Sequence, residues 1–585
     1  MPVKQINTEL GHSLPPEAPH NITFHIPGWD TAKALRRGDP ELMAKLVSIY
    51  PRFRPFSEVR ELSTVLHARL SLPATQGLLL YTHPDVFQTT LRFSASPHRP
   101  PNHTIPPSDL SFHVLDIPLT FPLPSEPETD LLGNDDPVRL YAVAYPLDLA
   151  PGAMGVWNNS GVGVSSRLAA ALLPAVQRGK VEVVWKWEGG DAGAEQVGIE
   201  RVPGSRGLPW GEGHVGLRRR IAGLVGGGGG KVGEEEVWLY PTGMAAVWRL
   251  HQAMVEVRGK GKVVVLGSIF HSSFHLFEES EGGVKHFGKC DAESGVMEEL
   301  EAWLEKEKQA GRRVAYVFAE FPSNPILVSV DLRRLRQVAD KYSVPVVVDD
   351  TIGSFCNIDV SPVVDAIVTS ITKSVSGYAN VMGGAITLPP SSPLHGPLKS
   401  TLTAQFINEY FHPDAAKLLA NSASYLARSA ILNRNALALA TFLHSHSQSP
   451  TSPVTAVLYP PFTDTHANYA AMMRPATADF MPGYGCLMAI EFTTLRVARA
   501  FYDNLSVFHG PHLGAHHTLA FPFNDAIWGT DPEGLAYIRT YGAKAEQVRV
   551  SVGLEEVEEL VDTFKAALDV AEEERRREEE GMGRR

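Results

Sequence analysis

The stretch Pro345-Val346-Val347-Val348-Asp349-Asp350-Thr351, followed further on by Ala366-Ile367-Val368-Thr369-Ser370-Ile371-Thr372-Lys373, decides how this chain is read. Each half is a short apolar, β-branched run that stops at polar groups, the pattern of a strand buried on both faces. The first run ends in a carboxylate and the second in a lysine. In open α/β sheets the strand ends are where ligands gather.

Moving outward, strands are expected at 237–240, 263–266, 314–319, 344–348 and 366–368. Helices follow Thr242 and span 331–338 between them. Apolar strands alternating with amphipathic helices predict an α/β unit with a mainly parallel central sheet. A strand at 548–552 and a helix with apolar positions Val557, Leu560, Val561, Phe564 and Leu568 predict a smaller C-terminal α/β domain. The first 200 residues, rich in proline and histidine, read as an extra, irregular α+β N-terminal domain. The expected boundaries are 1–205, 206–425, 426–570 and a charged tail at 571–585. The five glycines at 226–230 precede the strand at 237–240 instead of following one. They therefore read as a surface loop, not as a dinucleotide-binding turn. The charge run 572–580 lacks an apolar face and reads as a solvated or frayed helix end.

The 585 residues are 44% hydrophobic and 20% charged, the composition of a globular chain with a sizeable core. A formal charge of -12 without a basic stripe argues against a nucleic-acid partner and suits small-molecule chemistry. Cys290, Cys356 and Cys486 offer neither a disulfide framework nor a zinc pattern, so a cytoplasmic protein is expected. No apolar run approaches membrane-spanning length, and no membrane partner is expected. His509, His512, His516 and His517 cluster, but Pro511 and Gly514 disfavour the helix that would align them and no carboxylate lies among them. No metal is expected.

A lysine and a carboxylate at neighbouring strand ends suit pyridoxal 5'-phosphate, which needs an amine for its aldehyde, an acid for its pyridine nitrogen and donors for its phosphate. Lys373 and Asp349 can fill the first two roles. Thr242-Gly243-Met244, between a strand and a helix, can bring backbone N–H groups to the phosphate. Its plain alternative is a Thr N-cap followed by a turn glycine. Ser370 and Thr372 can add hydroxyl donors, or serve only as turn formers.

Longer motifs extend this reading. They are Tyr240-Pro241-Thr242-Gly243-Met244-Ala245-Ala246, Glu320-Phe321-Pro322-Ser323-Asn324-Pro325, Val348-Asp349-Asp350-Thr351-Ile352-Gly353, and Asn380-Val381-Met382-Gly383-Gly384 after Lys373. Gly510-Pro511-His512-Leu513-Gly514 and Arg549-Val550-Ser551-Val552-Gly553-Leu554-Glu555 follow; Gly38-Asp39-Pro40 and Tyr50-Pro51-Arg52-Phe53 lie upstream. In order and spacing the chain resembles the Cys/Met-metabolism enzymes dependent on pyridoxal phosphate, and among them the fungal-type cystathionine γ-synthases. The resemblance implies the fold type I of PLP-dependent transferases and a homodimer or homotetramer acting on small amino-acid substrates. It implies Lys373 as the Schiff-base lysine, Asp349 as partner of the pyridine nitrogen, Gly243 and Met244 on the phosphate with Ser370 and Thr372 assisting, Asn324 near the ring hydroxyl, and Arg549 on the substrate carboxylate. The family's phosphate-binding arginine, given across a dimer interface, has Arg206 as its nearest match.

Two positions depart from the pattern. Phe270 stands where most members carry a tyrosine that stacks on the cofactor; stacking survives, but the phenol is lost. The alternative is that Phe270 is plain core. His512 replaces the serine of a Ser-Leu-Gly motif close to the substrate. The implied reaction is γ-replacement on an O-acylhomoserine by cysteine, giving cystathionine in methionine biosynthesis. The alternatives are another nucleophile such as sulfide, γ-elimination, or a noncatalytic binding module.

Overall fold

The computed structural model describes residues 6, 8–14, 18–51, 53–96, 99, 103–119, 136–189, 202–226 and 232–583. Its centre is a seven-stranded sheet in the order Val237–Tyr240, Gly384–Thr387, Ala366–Thr369, Val346–Asp349, Val314–Glu320, Lys262–Leu266, Val284–Phe287. All run parallel except Gly384–Thr387, which pairs antiparallel on both sides. The central strands are buried along nearly their whole length because helices cover both faces, which is why the sequence showed continuous apolar runs instead of alternation. Two strands were not anticipated. Val284–Phe287 lies at the sheet edge and carries only one buried residue, so its apolar signal is thin. Gly384–Thr387 begins at a glycine whose Cβ would lie 2.1 Å from the Thr242 carbonyl oxygen, a position that admits no side chain.

The helices form for local reasons. Gly243–Arg258 starts at Thr242, whose hydroxyl accepts the Ala245 N–H at 3.0 Å. Leu332–Tyr342 starts at Asp331, which accepts from the Arg334 N–H, and it buries Leu332, Leu335, Val338 and Ala339 on one face. It ends at Ser343 in the left-handed conformation.

The N-terminal region is built around a four-stranded antiparallel sheet ordered Gln76–Tyr81, Val138–Pro146, Ser111–Ile117, Glu182–Glu188. It is continuous with the central unit. One hydrophobic core runs from Leu14 through Leu80, Phe112 and Leu172 to Trp238, Ala245 and Phe318. Ion pairs with little solvent exposure also cross between them: Arg249–Asp85 at 2.5 Å, Arg167–Asp414 at 3.0 Å and Arg99–Glu279 at 2.9 Å. The C-terminal region carries a five-stranded sheet ordered Val454–Leu458, Leu487–Phe492, Gln547–Ser551, Leu519–Phe521, Phe508–His509.

The charge run at 572–580 is a solvated helix end, with no residue of it buried, and it is tied down by side-chain contacts. It continues the helix Val557–Gly583, with Ala571 fully buried just before it. Glu574 pairs with Arg496, Arg575 donates to the Thr451 carbonyl, and Thr494 donates to Glu578 at 2.9 Å. Of the glycine run, Gly226 caps the helix Glu212–Val225, and residues 227–230 lie outside the described residues. Among the described residues no helix is long and apolar enough to cross a membrane.

Candidate active site

One cavity opens at the carboxyl ends of the parallel strands, as open α/β sheets dictate. It is lined by Asp349, Thr351, Ser370, Thr372 and Lys373 from the strand ends, by Gly243 and Met244 from the helix start, and by Phe270, Asn324 and Arg549. Nine of the eleven expected site residues therefore line a single space, although they span residues 243 to 549. The two exceptions are His512, buried beside it between Pro511 and Leu513, and Arg206.

The Lys373 amine donates to the Tyr50 hydroxyl at 3.1 Å and approaches His512 Nδ1 at 3.3 Å, lying 5.0 Å from the Tyr50 ring centre. Burial first, then the charges of Lys373 and Arg549, hold the His512 imidazole well below its usual range. It is therefore neutral, and beside an ammonium its Nδ1 acts as acceptor. Sequence reasoning placed Tyr50 in an upstream motif but gave it no part in the site. The separation of 323 residues between Tyr50 and Lys373 left no local signal to join them.

Asp349 and Glu320 face each other in register on neighbouring strands. Burial pushes the Asp349 carboxyl up to about 6, opposed by hydrogen bonds from Thr351, whose N–H donates to Oδ1 at 2.9 Å, and by the Lys373 charge. Glu320 is raised well above the carboxylate range by burial and then by Asp349, and its Oε1 accepts the Phe270 N–H at 2.6 Å. Two adjacent buried carboxyls do not both ionise. Glu320 holds the proton and Asp349 carries the charge, because Thr351 and Lys373 favour that form. Asp350 points away, takes the Thr369 hydroxyl at 2.5 Å and is pushed up to about 8 by burial. Of the two sequence neighbours, only Asp349 faces the cavity.

Gly243 approaches the Ser370 turn so closely that a Cβ would lie 2.7 Å from Ser370 Cβ. At this helix start the first N–H groups have no intrahelical acceptor and point toward the cavity end. The Thr242 hydroxyl donates to the Gly161 carbonyl at 2.9 Å, so the N-terminal region buttresses this turn. Thr372 differs from its expected use: its hydroxyl donates to the Gly383 carbonyl at 3.1 Å and accepts the Gly383 N–H at 3.0 Å, so its hydrogen is already engaged.

Arg549 donates to Asn324 Oδ1 at 3.2 Å and to the Pro511 carbonyl, and stacks 4.5 Å from the Phe523 ring centre. Its hydrogen-bond acceptors among the described residues are thus neutral, and burial lowers it to about 10. A buried guanidinium held by neutral acceptors is a prepared anion site. Asn324 is thus tied to Arg549 rather than free above a ring. Arg206 does not reach the cavity of its own chain. It lies at the edge of the N-terminal sheet, 39% exposed, 3.6 Å from Asp116 and 4.0 Å from Asp136.

The sequence profile of the Cys/Met metabolism PLP-dependent enzymes matches residues 215–569. A cystathionine gamma-synthase-like enzyme, iboG2 of Amanita muscaria, is 31% identical over 97% of this chain and 98% of its own length. The cystathionine gamma-synthase of Neurospora crassa is 29% identical over 97% of this chain and 99% of its own. Among solved structures, cystathionine gamma synthase from Xanthomonas oryzae pv. oryzae in complex with cystathionine aligns with a TM-score of 0.51 at 25% identity, covering 62% of this chain and 87% of that one. The fold and the match define a PLP-dependent enzyme of fold type I. The chain belongs to the Cys/Met metabolism PLP-dependent enzymes.

Its cofactor is pyridoxal 5'-phosphate, and the residues present fit that group. A strand-end amine and an ionised carboxylate share one cavity with a helix start whose glycine lets the Ser370 hydroxyl lie against the free N–H groups, a donor set that suits a phosphate.

Proposed function

We propose that this enzyme catalyses γ-replacement on an O-acylhomoserine with cysteine as nucleophile, forming cystathionine in a trans-sulfuration route to methionine. The observation that carries it is the meeting of Lys373 and Arg549 in one cavity, a proton-handling amine together with a guanidinium whose acceptors among the described residues are neutral. Lys373 would hold the cofactor, with Asp349 on its pyridine nitrogen, Gly243, Met244 and Ser370 around its phosphate, and Phe270 against its ring. When bound, the cofactor supplies an aldehyde for amines and a ring that withdraws electrons from the carbon beside the amine.

The remaining work belongs to side chains. Arg549, steadied by Asn324, fixes the substrate carboxylate and so orients Cα toward Lys373. The Lys373 amine removes and returns protons at Cα and Cβ, and the hydroxyl of Tyr50 and Nδ1 of His512 hold that amine in place between transfers. His512 directly follows Pro511, whose carbonyl receives Arg549. Phe523 and Ile527 exclude water from the nucleophile.

The second reading, a relative that uses sulfide or eliminates instead, is favoured by the imidazole at position 512 and the ring without a hydroxyl at 270. The first stands beside the substrate, the second removes a hydroxyl next to the cofactor ring, and Lys373 and Asp349 stay in place. Three companion readings belong to the same proposal: a cytoplasmic home, suited to three free, buried cysteines; a homodimer or homotetramer; and Arg206 reaching the phosphate of a neighbouring copy. Light scattering of the holoenzyme checks the assembly.

The test is product analysis with O-acetyl- and O-succinyl-L-homoserine, each with cysteine, sulfide or neither. Cystathionine is expected with cysteine, and Lys373→Ala is expected to abolish both turnover and the visible absorption band of the bound cofactor. Ketobutyrate and ammonia as sole products, or a band that survives Lys373→Ala, would overturn the reading.

A further inference from the structure

The turn that carries Lys373 is held from behind by a residue that the chemistry above does not use. Arg428 stands in the first turn of the helix Tyr425–Ser447 and is 5% exposed. Its Nη1 donates to the Ser374 carbonyl at 3.0 Å, and its Nη2 to the Val375 carbonyl at 2.9 Å and the Asn421 carbonyl at 3.0 Å. Its Nε donates to the Ser424 hydroxyl at 3.1 Å, and the half-buried Tyr378 ring covers the guanidinium at 4.9 Å. Ser374 and Val375 are the two residues directly after Lys373, whose own carbonyl accepts the Gly377 N–H at 2.8 Å. Gly377 has a φ of 73°, and a Cβ there would lie 1.7 Å from Arg428 Nη1. The turn leaves out a side chain where the guanidinium enters.

The acceptors of Arg428 are three carbonyls and a hydroxyl, so its charge is buried without a counter-ion among the described residues, and burial lowers it below the usual arginine range. Burying an unpaired guanidinium is unfavourable, and an apolar side chain of similar volume would fill this space more easily. What a planar fork of donors adds is the capture of carbonyls from two segments at once, here the Lys373 turn and the end of the helix His412–Asn421. On the other side of the same turn, Gly514 comes so close that a Cβ would lie 2.7 Å from the Ser374 nitrogen, and Gly514 belongs to the loop that brings His512 to the Lys373 amine. The backbone beneath Lys373 is therefore gripped from two sides. Two turns further along the Arg428 helix, Asn435 donates to the Gly553 and Glu555 carbonyls at 3.1 and 2.6 Å, just past the strand Gln547–Ser551 that carries Arg549. One helix is thus tied to the lysine turn and to the end of the arginine strand.

We infer that Arg428 is a positioning residue: it fixes the Lys373 turn through the Ser374 and Val375 carbonyls, and its helix sets the lysine amine against Arg549. Arg428 does not line the cavity and acts only through Lys373. The inference rests on Lys373 holding the cofactor, and on no choice of leaving group or nucleophile.

The test uses holoenzyme in wild-type, Arg428→Met, Arg428→Lys and Tyr378→Leu forms, with Arg474→Met as the control for loss of a carbonyl-binding arginine. Arg474 donates to the Phe355, Ile358 and Val225 carbonyls and not to the lysine turn. Circular dichroism in the visible band reads how firmly the cofactor is oriented on Lys373, without turnover. Relative to absorbance, that signal is expected to fall at least about 2-fold in Arg428→Met and to recover in part in Arg428→Lys, whose ammonium can still meet some of the carbonyls. It should fall less in Tyr378→Leu, which leaves every hydrogen bond from Arg428 to the turn in place. With the substrate pair that wild type turns over best, kcat should drop about 100-fold in Arg428→Met, the scale of an ångström of misplacement, while KM stays within about 2-fold because Arg549 is unchanged. Arg474→Met should lower the urea midpoint and leave the visible signal and kcat at wild-type levels. A visible signal and kcat unchanged in the Arg428 variants, or equal losses in Arg474→Met, would overturn the positioning role. Should Arg428→Met not fold, Arg428→Lys and Tyr378→Leu decide between the same outcomes. A band that survives Lys373→Ala would remove the reading of Lys373 itself, a failure distinct from a Lys373-dependent band that ignores Arg428.

Discussion

Tyr50 and Asp349 show what single residues contribute. Tyr50 gives the only phenol whose hydroxyl meets Lys373 among the described contacts, and its ring also packs edge-on against Phe53 at 6.3 Å. Tyr50→Phe keeps the ring and the packing and removes one hydrogen bond to an amine. A bond to a charged group contributes about 1.5–3 kcal/mol, so kcat is expected to fall about 10- to 100-fold with the visible cofactor band retained. Stopped or steady-state rates together with the absorption spectrum check this; an unchanged rate would remove Tyr50 from proton handling. Asp349 was legible in the sequence because it closes an apolar strand, and its preference over Asp350 came from the family resemblance. Tyr50 was not, since no periodicity or motif spacing links residues 323 positions apart. Glu320 escaped for another reason: a carboxyl kept neutral by burial beside a second carboxyl is a property of two strands in register, not of either strand.

At the level of elements, the turn after the helix Ala150–Ser160 determines how the N-terminal region seats on the Thr242 turn. Gly161 sits at φ 64°, and a Cβ there would lie 2.4 Å from Thr242 Oγ1 and 2.8 Å from the Ala245 nitrogen. Gly161→Ala combines a left-handed backbone penalty of about 1–2 kcal/mol with overpacking of about 1–3 kcal/mol, and it presses on the turn that precedes Gly243. The expected result is lower stability in urea and weaker cofactor affinity by equilibrium dialysis. Gly38→Ala is the control: its φ is 71°, but nothing lies within 4 Å of the added Cβ, so only the backbone penalty applies and cofactor affinity should not change. The sequence identified the strands and helices of the central unit well because buried parallel strands are continuous apolar runs. It missed Val284–Phe287 and Gly384–Thr387, where an exposed edge and close backbone packing replace the apolar signal.

The molecule as a whole depends on its N-terminal third. The family profile begins at residue 215, yet Tyr50, Phe53, Phe56 and Trp157 wall the cavity, and one hydrophobic core joins the two regions. Removing one partner of a buried ion pair costs about 3–5 kcal/mol, and two such pairs, Arg167–Asp414 and Arg99–Glu279, cross this junction. A fragment of residues 206–585 is therefore expected to lose its cooperative unfolding transition and the visible cofactor band, although it retains Lys373 and Asp349. Circular dichroism and absorbance of the fragment check this; a folded, cofactor-loaded fragment would show the N-terminal region to be dispensable for the site. By itself the sequence determined the α/β class, the cofactor and most of the residues that line the cavity, because those reside in short motifs whose chemistry is local. Only the tertiary structure decided that Tyr50 belongs to the same cavity, that Thr372 is already satisfied by Gly383, and that Arg206 lies outside its own chain's site. Burial, register and docking between distant segments set those outcomes, and they exist only once the chain has closed on itself.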